Sequence, residues 1–195
     1  MAVIWPTFTS TVAPWLDAPI EKTHADTAKV IADAYGVSVA SGMITLIPGS
    51  AIISAPPTKP IEDAILDTFN QIKDSEGPPT PPMFLKWATE TVNYWAGVIW
   101  SSLPPIPPPP GYVSPTTGVT VLTGGTPSPL DVGLWAAFNN PPAPTPMGSI
   151  ICGKLISAFT THLLTVNGLY NGLIPNPAVI PPTIPGPPFP WVGVS

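Results

Sequence analysis

The chain has 195 residues, 44% apolar and only 9% charged, with 32 prolines, roughly three times the average share. That length allows a real core and the apolar content excludes the low-hydrophobicity, high-charge signature of disorder, while so many fixed φ angles hold much of the backbone in extended or turn conformations. Six lysines, no arginine and eleven acids give a net charge of −5, which excludes nucleic acid as a partner and argues against phosphate or anionic headgroups, since those contacts draw on clustered Lys and Arg.

The amino-terminal stretch Met1-Ala2-Val3-Ile4-Trp5-Pro6 has no basic region and no apolar run before Pro6, so a secretory signal is not expected; nor does an Asn-x-Ser/Thr acceptor occur. Residues 1–57 read as an amino-terminal arm and a first long helix. The motif Thr23-His24-Ala25-Asp26 resembles a helix start. A helical face is predicted from Val30, Ala34, Val37, Ser41 and Ile44 within Lys29 to Pro48. The uncharged stretch from Ala34 to Thr58 is diluted by Gly, Ser and Pro, and that from Thr91 to Leu130 is broken by prolines from Pro104, so no membrane span is expected.

Residues 58–115 read as a helix-pair module with a proline-rich tail, and 116–195 as a second such module with a proline-rich carboxy-terminal arm. The parallel is carried by Pro60-Ile61…Ile65…Phe69 and Pro129-Leu130…Leu134…Phe138, with apolar residues on one helical face after a first-turn proline. Ser128-Pro129-Leu130-Asp131 reads as a capping box. Each short helix leads to a proline cluster ending in Met83 or Met147, then to a lysine, Lys86 or Lys154, opening a longer helix. Its stripe is Phe84, Trp87, Thr91, Trp95 and Val98 in the first module, and Leu155, Phe159, His162, Val166 and Tyr170 in the second. Between them, Gly118 to Gly125 alternates β-branched residues and ends on two glycines, a short strand or hairpin. The predicted fold is therefore mainly α: a small helical bundle from duplicated helix-pair modules, with long proline-rich extended arms and at most a short β-hairpin.

Catalytic groups are sparse. His24 reads as a solvated first-turn residue and His162 as a core or interface histidine satisfied by hydrogen bonding. Glu62, Asp63 and Asp67 suit the positive end of a helix dipole, and lone Cys152, in Ile150-Ile151-Cys152-Gly153, reads as a small buried hydrophobe. No phosphate loop, zinc helix motif or nucleophile elbow occurs, so no enzyme activity, cofactor, metal or small-molecule substrate is expected. The most informative segments are the proline-rich runs. Polyproline II is preformed and docks at little ordering cost, and the apolar residues interleaved with it or close by, Ile106, Tyr112, Ile184, Phe189, Trp191 and Val192, are the expected partner-binding anchors. The runs either lie on neighbouring subunits or fold back over their own helices.

The opening Ile4-Trp5-Pro6-Thr7-Phe8, the helix through Ala34-Tyr35 with Ser41-Gly42, and the closing Pro187-Pro188-Phe189-Pro190-Trp191-Val192-Gly193 resemble small virion structural proteins of tailed bacteriophages. The resemblance covers the two ends and the helix-proline rhythm. It implies a non-enzymatic tail, neck, baseplate or capsid accessory protein, located in the virion and partnered by other virion proteins and copies of itself, and it brings no functional residues with it. The alternative is a secreted or surface proline-rich interaction protein.

Overall fold

A computed structural model describes residues 5–40, 50–102, 112–113, 118–122, 124–139, 147–170, 174–175 and 189–192. The chain is mainly helical. Its helices are α1 (Trp5–Asp17), α2 (His24–Ala40), α3 (Lys59–Asp74), α4 (Leu85–Ala96), α5 (Leu130–Phe138) and α6 (Met147–Leu163), with a 3-10 turn, Pro81–Phe84, leading into α4.

Local chemistry explains where several of these begin and end. At the start of α2, where the sequence suggested a helix start, Thr23 Oγ1 accepts the Asp26 N–H at 3.0 Å and the Asp26 carboxylate accepts from the Thr23 Oγ1–H at 2.6 Å and the Thr23 N–H at 3.4 Å. Pro60 lies in the first turn of α3, as expected. The capping box expected at Ser128 does not form: α5 begins after Pro129, no side chain caps it, and the Ser128-Pro129 bond is cis. The segment expected as an amino-terminal arm folds as α1, whose end is closed by Lys22 donating to the Leu16 and Ala18 carbonyls. Asp17 at that end accepts the Gly148 N–H at 2.7 Å, so it also tethers the first turn of α6. There α1 and α6 approach so closely that a Cβ on Gly148 would overlap the Ala13 carbonyl.

Each helix packs against its neighbours in sequence and α6 packs back on α1, closing the helices into a ring. Large side chains fill the middle: Phe8, Tyr35, Phe84, Trp87, Trp95 and Phe159 are buried. Tyr35 and Phe159 ring centroids are 4.7 Å apart, and the Trp95 Nε1–H donates to Tyr35 Oη at 2.6 Å. A helix as short as α5 is marginal alone. Burying Leu130 and Leu134 contributes roughly 1.5–3 kcal/mol each, which outweighs that deficit.

The predicted stripe Phe84, Trp87, Thr91, Trp95, Val98 is buried throughout, as are Leu155, Phe159, His162 and Val166. Three details differ. In α2 the buried face is Ala28, Ile31, Ala32, Ala34, Tyr35, Ser38 and Val39, while Val37 is 55% exposed; Ser41 and Ile44 lie outside the described residues. The aromatic Tyr35 turned the helix, because its bulk outweighs the smaller aliphatic residues that suggested the other face. Lys154 lies within α6 rather than at its start, and Tyr170 belongs to a strand, since α6 ends at Leu163.

Strand content exceeds the single hairpin expected. Strands β1 (Ser50–Ser54), β2 (Ile99–Ser102), β4 (Gly118–Leu122), β5 (Asn167–Tyr170) and β7 (Phe189–Val192) form an antiparallel sheet in the order β1-β2-β4-β5-β7, and β3 (Tyr112–Val113) pairs with β6 (Ile174–Pro175). Only β4 alternates clearly; the others are short, and their pairing is long-range, so local pattern did not reveal them. Pro190, opposite Leu169, is tolerated because β7 is an edge strand.

Candidate interaction surface

Tyr35, Trp95 and Phe159 stand near the carboxy-terminal ends of α2, α4 and α6 and meet in the core. Those helices therefore finish at one end of the body, and after each of them the chain runs on into a strand of the sheet: β1, β2 and β5. The sheet is thus rooted at the end where the three helices stop.

Of the predicted anchors, Tyr112 lies in β3 opposite Pro175, while Phe189, Trp191 and Val192 lie in β7 opposite Tyr170, Gly168 and Asn167. The sheet brings the last three together on one edge strand, paired to β5 of the same chain, and Tyr112 belongs to the smaller sheet. Ile106 and Ile184 lie outside the described residues. At Phe189–Val192, then, the backbone folds onto its own chain. Among the described residues one side of that edge strand has no partner strand, and the unpaired N–H and C=O groups of a sheet edge are a template for pairing with a further chain.

The junction between sheet and helices is built at Gly124 and Gly125, both at φ +80°. A Cβ on Gly124 would overlap the Val92 carbonyl of α4, and one on Gly125 would overlap Thr165 Oγ1 and press on the His162 ring. The expected turn is thereby a wedge between α4 and the end of α6. His162 is fully buried and its ring Nε2 lies 3.0 Å from the Gly124 carbonyl oxygen. Because that oxygen only accepts, Nε2 carries the proton and donates, and the unprotonated Nδ1 has no hydrogen-bond partner among the described residues. Burial drives the imidazole pKa down to about 4, opposed by the bond to Gly124. His162 thus ties the turn at Gly124 to the end of α6; the ring is buried as the core reading expects, and only one of its two nitrogens is hydrogen-bonded among the described residues.

Cys152 is fully buried and free, its thiol pushed up to about 11 by desolvation and, secondarily, by Asp17. His24 is exposed at the first residue of α2, yet its ring lies 5.8 Å from that of Phe69 and its Nδ1 is 3.2 Å from Asn70 Oδ1, joining α2 to α3. Beside it opens a cleft of ≈ 530 Å³ lined by His24, Phe69, Ile72, Lys73, Pro79 and Phe138 among others. Sequence reasoning missed this cleft, although its Phe69 and Phe138 stand at matching positions of the repeated segments. Among the described residues no group of three His, Cys, Asp or Glu is placed to hold a metal, and no helix is long and apolar enough to cross a membrane.

No family model, curated protein or solved structure matches this chain.

Proposed function

We propose that the chain is a non-catalytic structural protein whose ring of helices serves as a platform for a proline-rich, strand-forming end that joins it to other subunits. The observation that carries this is the convergence of α2, α4 and α6 on one end, from which the chain runs into the sheet. A scaffold of buried aromatics is spent on presenting edge strands and proline-rich connections, both of which recognise extended partners through main-chain hydrogen bonds and apolar anchors. The two histidines serve packing contacts: one holds a backbone carbonyl and the other an asparagine. The virion is the setting implied by the resemblance at the two ends, with copies of itself and other virion proteins as partners.

In this reading the body arose by duplication of a helix-pair module. Ile61, Ile65 and Phe69 take the same buried or half-buried places as Leu130, Leu134 and Phe138, and the equivalent phenylalanines meet at 5.4 Å, as pairs beside a pseudo-twofold axis do. Counted from Met83 and from Met147, the buried positions of α4 and α6 coincide. The element order helix-helix-strand also occurs once before them, in α1, α2 and β1.

Light-scattering mass after size exclusion, with circular dichroism on the same sample, tests the proposal. The full chain is expected as a discrete helical oligomer, and a chain ending before Ile184, which lacks β7, as a smaller species with unchanged helix content. A helical monomer whose state and surface hydrophobicity are unaffected by the truncation would sink it.

A further inference from the structure

We infer that the cleft between α2, α3 and α5 is a binding site for a small apolar molecule bearing one carboxylate. Its volume, ≈ 530 Å³, falls in the range of small-molecule sites, and its walls are those of such a site: Phe69, Ile72, Pro79 and Phe138 supply apolar surface, while His24, Thr27 and Lys73 supply the few polar groups. A second, adjoining cleft shares His24 and Lys73 and adds Lys22 and Asn70. Across both, two lysines and a histidine line the surface and no carboxylate does, in a chain where acids outnumber lysines eleven to six.

Lys73 sharpens the reading. Lys29, Lys59 and Lys86 pair with carboxylates, Lys22 is bonded to the end of α1, and Lys154 to the Ala136 carbonyl. Among the described residues Lys73 alone of the six has no hydrogen-bond or ion-pair partner, and it sits at the edge of an apolar wall. An ammonium there is free to take an anionic head whose tail lies against Phe69 and Phe138. His24 is held in place by its Nδ1–H donated to Asn70 and contributes ring surface to the cleft, so Lys73 is the group that meets the carboxylate.

Isothermal titration of the full chain with octanoate and, separately, octanol tests the site, with Lys73→Gln and Lys154→Gln as variants. Lys73 is exposed and has no hydrogen-bond or ion-pair partner among the described residues, so its replacement does not threaten the fold. Octanoate is expected to bind the native chain and Lys154→Gln alike, with a sub-millimolar constant, and Lys73→Gln about tenfold more weakly, the worth of one charge-assisted hydrogen bond. Octanol is expected to bind weakly and to ignore the lysine. The inference is overturned if octanoate gives no saturable heat, if Lys73→Gln binds it as well as the native chain does, or if octanol competes on equal terms. It is also overturned if an acidic proline-containing peptide binds at Lys73 while octanoate does not. The site does not rest on the structural role proposed above, and oligomer mass measured on the same samples separates failure of one from failure of the other.

Discussion

Removing the Tyr35 hydroxyl tests the centre of the helical ring. Burial holds the phenol far above its ordinary pKa, so it stays neutral, and its oxygen accepts the buried Trp95 Nε1–H at 2.6 Å. Tyr35 is 1% exposed and Trp95 0%, so water cannot replace the lost acceptor. Tyr35→Phe preserves the ring contacts to Phe159 and Tyr94 but strands that donor, at a cost of about 2 kcal/mol, within the 1–3 kcal/mol range for an unsatisfied buried group. For a chain of this length that lowers Tm by about 4–8 °C. Trp95→Phe strands the hydroxyl and leaves a cavity, so it costs more; in the double variant both polar groups are gone, and the sum of the single effects overshoots by about 1 kcal/mol or more. Urea unfolding followed by tryptophan fluorescence and circular dichroism gives the four stabilities. A Tyr35→Phe chain within about 0.5 kcal/mol of native, or a cycle with no coupling, would refute the claim that α2 and α4 are joined by this bond.

Two further outcomes follow from the junction of sheet and body. The His162 pKa lies below its unfolded value of 6.5, at about 4, so the unfolded chain takes up a proton the folded one does not. Stability from this group is complete above pH 6.5 and falls away as the pH drops toward 4. Between pH 7 and 4.5 the native chain should lose roughly 2–3 kcal/mol more than His162→Gln, which retains a donor for Gly124; parallel denaturation curves for the two would contradict the burial of this ring. Gly124→Ala should destabilise by about 3 kcal/mol, because φ is positive and the new methyl overlaps the Val92 carbonyl, whereas Gly153→Ala, exposed on α6 with nothing near it, should stabilise by about 0.5–1 kcal/mol. Thermal denaturation shifts of the same sign for both would show that the wedge is not tight.

The helices after Pro60 were legible because their signals are local: a first-turn proline, then apolar residues on one face. The burial of Ile61 and Ile65, and of the whole stripe from Phe84 to Val98, follows that pattern. In α2 the start was legible in Thr23 and Asp26 and the face was not, since Ala28, Ile31 and Tyr35 compete with Val30 and Val37 for the core and only the neighbouring helices decide between them. The helix α1 was hidden by prolines near its start and inside it, and it stands because it packs between α2 and α6. The strands were hidden for the opposite reason: each is a few residues long and gains its partner from a distant segment, as Phe189–Val192 does from Asn167–Tyr170.

By itself the sequence determined the mainly helical class, the positions of the best helices, the burial of Cys152 and His162, and the turn at Gly124-Gly125. These depend on side-chain volume, polarity and backbone freedom over a few residues. Only the tertiary structure decided that the helices close on themselves, that Tyr35 meets Trp95, that the expected anchors Phe189, Trp191 and Val192 share one edge strand, and that His24, Phe69, Lys73 and Phe138 frame a cleft. Those are contacts between segments far apart in the chain, whose formation depends on loop closure and shape complementarity that no short window of sequence contains.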